Sequence, residues 1–253
     1  MLDAGLAALC AFAFLAGFID AVVGGGGLIQ VPALLIIKPE VPVATLFGTN
    51  KFSSIFGTAN ASLRYAREVR LPWRTVLIAA GTAFIFSFLG ARVVSLINPA
   101  ALKPLILALL LVVFIYTLLK KDFGRLHAPR LSPRMQTLAA LVVGAVLGFY
   151  DGFFGPGTGS FLVFAFVGIF GFSFLAASAA AKCVNLATNA AALAWFMPHS
   201  QVLYAAAIPM AACNVAGSWI GAHLAVKKGS AFVRLLFIAV VGALIAKLAL
   251  DLR

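Results

Sequence analysis

Not one Asp, Glu, Lys or Arg interrupts residues 21–37, 75–91, 104–119, 152–181 or 183–226. A helix needs about 20 mostly apolar residues to cross the hydrocarbon of a bilayer, so several of these runs suffice alone. The 44-residue run 183–226 has room for two crossings around Met197-Pro198-His199. A transmembrane β-barrel would alternate polarity over segments of about ten residues, and that alternation is absent. The pattern predicts an all-α integral membrane protein. Composition agrees, at 63% apolar and 10% charged, against roughly 45–50% and about 25% in soluble domains.

The formal charge of +12 comes from 19 Lys and Arg against seven acids. In a soluble chain that excess would suggest nucleic acid, but here no soluble domain exists to hold such a site. Residues 64–74, 120–134 and 227–234 carry twelve Lys/Arg against Glu68 and Asp122, which is +10 of the total. Basic loops stay on the cytoplasmic side, so loops 64–74 and 120–134 are expected there. The excess is a record of orientation. The opening residues lack the basic stretch of a signal peptide. Cys10, Cys183 and Cys213 lie in apolar segments and form no disulfide framework or metal-binding spacing.

Apolar runs and their breaks give segments at 2–37, 43–63, 72–96, 100–119, 135–170, 174–196, 201–226 and 231–250. The first and fifth are about 36 residues long, roughly 54 Å of helix against a core of about 30 Å. Each is interrupted by glycine, at 24–27 and at 155–159, and is predicted to break there. A shift of 131 residues lays Gly17, Phe18 and Asp20 on Gly148, Phe149 and Asp151, and Lys51 on Lys182. Gly24 and Gly26 then meet Gly155 and Gly157, and Ser87 and Gly90 meet Ser218 and Gly221. One register over that distance predicts a tandem duplication: a first four-segment repeat at 1–119, a basic linker at 120–134, and a second repeat at 135–253. The halves are parallel if the long segments cross once and inverted if they turn back. The inside:outside Lys/Arg counts are 11:6 and 12:5 respectively, which favours inversion by one residue. Repeated halves with interrupted helices are common in secondary transporters, whose sites lie between the repeats near the bilayer midplane.

Four ionisable residues lie inside apolar segments: Asp20, Lys51, Asp151 and Lys182. Each costs about 2.5–3.5 kcal/mol at a helix centre, so each is a functional candidate by default. From Lys51, positions i+3 and i+7 are Ser54 and Thr58; from Lys182 they are Asn185 and Asn189. Those positions share a helix face, so each lysine heads a polar stripe, with Asn50 beside the first. Interhelical hydrogen bonding explains the small polar residues but not the lysines. The glycine tracts fit neither a dinucleotide fingerprint nor a P-loop. They do fit helix breaks whose N-terminal ends attract anions, which brings in Gly25, Gly26, Gly157 and Thr158. Asp20 and Asp151 have three readings: ion pairs with the lysines, caps on the broken helices, or a site for a coupling cation or proton. No His/Cys/carboxylate cluster has metal spacing, and no set of nucleophile and base suggests an enzyme.

The paired Gly-Phe-x-Asp motifs with their glycine tracts, Gly48-Thr49-Asn50-Lys51 with Ala181-Lys182, and Gly90-Ala91-Arg92 with Gly221-Ala222-His223 resemble the sulfite exporter TauE/SafE family of bacterial permeases. The resemblance covers nearly the whole chain. It implies a multi-pass plasma-membrane (inner-membrane) transporter that moves sulfur-containing anions, typically outward, with Asp20, residues 24–27, Asn50 and Lys51 on the family's motif positions. Ala181 in place of asparagine and Pro156 within the second glycine tract depart from the first copy. The expected partners are a small anionic substrate and the lipid bilayer, with a homo-oligomer left open. No cofactor and no metal is implied. The rival expectation is a cation or metal permease using Asp20 and Asp151.

Overall fold

The computed structural model describes residues 4–94 and 131–251. The expected segment 100–119 and most of the linker 120–134 lie outside those residues. Eight helices occur among the described residues: α1 (Ala4–Val23), α2 (Gly27–Ile37), α3 (Val43–Glu68), α4 (Trp73–Val93), α5 (Pro133–Phe153), α6 (Thr158–Gly168), α7 (Phe174–Phe196) and α8 (Tyr204–Asp251). The chain is an all-α membrane protein. Helices α1, α4, α5 and the Tyr204–Ala239 part of α8 are long and apolar enough to cross a bilayer. The segments expected at 201–226 and 231–250 both lie within α8, where two helices meet at a kink: the Gly229 backbone (φ 71°, ψ −167°) is not helical. Helix α3 outlasts its expected end at 63 and reaches Glu68, because Arg64 and Arg67 are good helix formers and Arg64 faces Glu68 one turn on.

Both long segments break where the glycines sit. Gly24 and Gly25 (φ 76° and 95°) end α1, and Gly155 and Gly157 (both φ 88°) separate α5 from α6. Only glycine takes that left-handed backbone without a steric cost. Helices α2 and α6 have 11 residues each, about 16 Å at 1.5 Å per residue, roughly half the hydrocarbon thickness. Ser132 and Ser173 start α5 and α7 by accepting from Met135 N and Ala176 N.

A helix that ends inside the protein leaves carbonyls unpaired, and lipid offers no water to satisfy them. At the end of α1 each is met, one by the next residue of the chain and three by side chains of other helices. Gly24 N donates to Asp20 O (3.0 Å), and the Tyr65 hydroxyl donates to Ala21 O (2.7 Å). Ser178 donates to Val22 O (2.5 Å) and Ser160 to Val23 O (3.3 Å). Hydroxyls from α3, α6 and α7 thus converge on one broken end.

Close backbone approaches give the helix directions. Gly217 meets Phe14 and Gly221 meets Phe18, so α1 and the first part of α8 run the same way. Gly144 meets Ala79, Gly148 meets Ala83 and Gly152 meets Ser87, so α4 and α5 also run together. Gly57 lies on Asn214, and Arg64 reaches His223 at 2.8 Å, which aligns α3 with α8. Gly48 instead meets Phe196 while Ser62 lies beside Cys183, so α3 and α7 run oppositely. Helix α4 also runs with α7, since Ser87 meets Thr188 and Arg92 lies over the Trp195 ring, so α1, α3 and the first part of α8 point one way and α4, α5 and α7 the other. Cross-links recur at the sequence offset: Ser87 donates to Thr188 O (2.9 Å) and Ser218 to Gly57 O (2.5 Å), donors and acceptors each 131 positions apart. Glycine is needed at these crossings because an added Cβ would strike the facing backbone.

Candidate functional site

Helix α3 presents Lys51 eight residues after its start, and α7 presents Lys182 at the same depth. Each lysine meets the aspartate of the opposite half. Lys51 Nζ donates to Asp151 Oδ2 at 2.5 Å, and Lys182 Nζ to Asp20 Oδ2 at 2.7 Å. The aspartates lie on the last turns of α5 and α1, just before the glycine breaks. The ion-pair reading of the four charges is the arrangement observed. Asp20 also caps, accepting from Gly26 N at 3.4 Å.

Between the two breaks lies a cavity of about 30 Å³ lined by Asp20, Asn50, Lys51, Ser54, Asp151, Asn185 and Asn189 together with Gly25, Gly27, Gly155, Gly157 and Gly159. At roughly 10–15 Å³ per enclosed water, it holds about two waters. The first turns of α2 and α6 form part of the wall, so both helix dipoles offer their positive ends to it. The lining mixes one ammonium, two carboxylates, three carboxamides and a hydroxyl. Such a set can donate hydrogen bonds to an anion or, if the aspartates leave their lysines, ligate a cation.

The two polar stripes read from sequence are treated unequally. Lys51 and Ser54 from α3, and Asn185 and Asn189 from α7, face the cavity. Lys182 does not; its side chain is wholly buried against Asp20. Thr58 is buried off the cavity, and its hydroxyl has no hydrogen-bond partner. Gly26 lies against Ala16 and Asp20, and Thr158 bonds back to Gly155 O at 2.7 Å, so neither lines the space. The Asn50 Oδ1 atom is also buried without a partner. Among the described residues, no three His, Cys, Asp or Glu side chains gather as a metal centre would require.

Sequence reading missed Gln30. It is fully buried in apolar α2, bonded to the Ser53 hydroxyl and accepting from Asn214 Nδ2 at 3.2 Å. Asn214 also donates to Ala13 O at 3.2 Å. This chain of carboxamides fastens the short helix α2 to α1, α3 and α8, holding its N-terminal turn at the cavity. The available signal was a lone carboxamide in an otherwise apolar run, since buried polar groups require partners.

The sequence profile described as Sulfite exporter TauE/SafE matches residues 9–248. The chain belongs to that family. A probable membrane transporter protein of Haemophilus influenzae is 35% identical over 246 residues, covering 97% of this chain and 95% of the relative. One from a Sinorhizobium species, named ORF9, is 35% identical over 97% of this chain and 93% of the relative. The probable membrane transporter protein YfcA of Escherichia coli K12 is 33% identical over 94% and 87%. Membership makes this a multi-pass membrane transporter protein, the activity for which these relatives are named.

Proposed function

We propose that the protein is a secondary transporter exporting a small sulfur-containing anion, sulfite or an organosulfonate, across a bacterial inner membrane. Two inverted four-segment repeats would hold the anion between them near the midplane, in the cavity at Lys51. The observation that carries this reading is a buried ammonium on the cavity wall, flanked by Asn50, Ser54, Asn185 and Asn189 and by the first turns of two broken helices. Charge-assisted bonds from an ammonium, with amide and hydroxyl donors around it, suit the oxygens of a sulfur oxyanion. The glycine breaks let α2 and α6 shift against the longer helices. They have to, because an anion of four or more heavy atoms exceeds a space for about two waters.

Rocking of one half against the other would expose the cavity to each side in turn. Helix α3 and its polar stripe then belong to one wall and α7 with Asn185 and Asn189 to the other. The cation reading requires both Asp20 and Asp151 to release lysines already in hydrogen-bond contact, and it ranks second for that reason.

The test is a ligand panel on purified protein, with thermal stabilisation as the signal. Sulfite and methanesulfonate are expected to raise the melting temperature, acetate to do so less, and the Lys51→Ala variant to remain folded while losing the response. Stabilisation by a divalent metal and by none of the anions would reverse the ranking.

A further inference from the structure

We propose that Asp151 takes up one proton each time an anion binds at Lys51, so that anion and proton travel together. The inference rests on the anion reading above and adds to it the coupling ion and the residue that carries it. The four embedded charges are balanced and arranged in two crossed pairs, Lys51 with Asp151 and Lys182 with Asp20. Only the first pair has both members on the cavity wall. Lys182 is sealed behind Asp20, so an entering anion gains the ammonium of Lys51 alone. To do so it must draw that ammonium away from the Asp151 carboxylate.

The hand-over would leave Asp151 as an unpaired carboxylate, 2% exposed, beside a second negative charge. A buried charge without a partner neutralises itself rather than remain ionised. Asp151 Oδ2 therefore accepts a proton from water as the anion replaces it on Lys51. Lys51 keeps its own proton, and the net charge of the loaded site is unchanged for a monoanion.

Among the described residues, the surroundings offer no other group for this role. From α3, Asp151 faces Lys51; from α1, Asp20 shares the cavity but stays bonded to Lys182 and Gly26 N. From α7 come Lys182, engaged with Asp20, and Cys183, beside Ser62. On its own helix, the Tyr150 hydroxyl donates to Pro156 O at 2.7 Å. Helix α4 meets this end of α5 through Ser87 and Gly90, which do not titrate, and its Arg74 and Arg92 sit near its two ends. Helix α6 carries no titratable residue.

The experiment measures binding of methanesulfonate, a monoanion throughout, to the purified full chain between about pH 6 and about pH 8. Linkage of one proton to each anion makes affinity fall about tenfold per unit rise in pH. The Asp151→Asn variant is expected to bind with no pH slope, and Asp20→Asn to keep the tenfold slope whatever its affinity. A second readout is proton uptake on binding in weakly buffered solution, about one per anion for the wild type and none for Asp151→Asn. Should Asp151→Asn prove too unstable to purify, wild-type proton uptake still decides the coupling, and loss of the slope in Asp20→Asn would move the assignment away from Asp151. A flat wild-type profile overturns the coupling while leaving anion binding intact. A slope that survives in Asp151→Asn overturns the choice of residue. Absence of binding at every pH, by sulfite as well, overturns the anion reading and this inference with it.

Discussion

A double-mutant cycle on Lys51 and Asp151 tests whether the embedded charges act as pairs. Their side chains are 6% and 2% exposed and 2.5 Å apart. With an effective dielectric of about 20, two unit charges at that distance attract by roughly 6–7 kcal/mol. Loss of hydration, several kcal/mol for each ion, offsets most of that attraction. The pair therefore contributes little net stability, while removing one partner strands the other. Lys51→Met alone is expected to cost about 3–5 kcal/mol, and Asp151→Asn alone about the same.

The double variant, with no charge left to strand, should be more stable than either single one by at least ~2 kcal/mol. Thermal unfolding in detergent, followed by tryptophan fluorescence, reads these differences. In a chain of this size 1 kcal/mol moves the midpoint by about 2–4 °C, so each single change should lower it by roughly 6–20 °C. The second pair supplies a control: Asp20 is 16% exposed and holds Gly26 N as well, so Lys182→Met should cost less than Lys51→Met. If the double variant falls as far as the sum of the singles, the charges are not coupled and the crossed pairing is refuted.

Three further outcomes can be checked in the same assay. Thr58→Val removes a buried hydroxyl that has no partner and is expected to leave stability unchanged or raise it by about 1 kcal/mol; a clear loss would mean that a water or ligand satisfies that oxygen. Gly81, exposed in the middle of α4 with open space around it, should tolerate alanine and gain up to ~1 kcal/mol. Gly229 also has open space, but its φ of 71° and ψ of −167° belong to glycine alone, so alanine there should cost about 1–3 kcal/mol. Equal effects at the two glycines would show that backbone conformation does not decide the bend in α8.

Much of the architecture was legible in one dimension. Charge-free runs marked the helices, and both glycine tracts marked breaks, because insertion in lipid and helix propagation depend on local composition. The polar stripes on α3 and α7 followed from helical spacing, and four of their six residues do face the cavity. The other two, Thr58 and Lys182, lie off it for reasons no spacing rule contains. Lys182 is sealed because Asp20 from α1 covers it, a contact across 162 residues. Gln30 escaped notice because its role consists of partners on α3 and α8.

The sequence by itself determined that this chain is helical, lies in a membrane, breaks two helices at glycine and buries two lysines with two aspartates. Those properties arise residue by residue from the free energy of moving side chains and backbone from water into lipid. Either lysine could have neutralised either aspartate as far as composition and spacing can tell. Only the tertiary structure decided that the pairs cross between the halves, that α1 and α5 run in opposite directions, and that one lysine faces the cavity while its counterpart is closed off. The physical reason is that electrostatic partnership falls off within a few ångströms, and only the packing of α1, α3, α5 and α7 brings the four charges within that range.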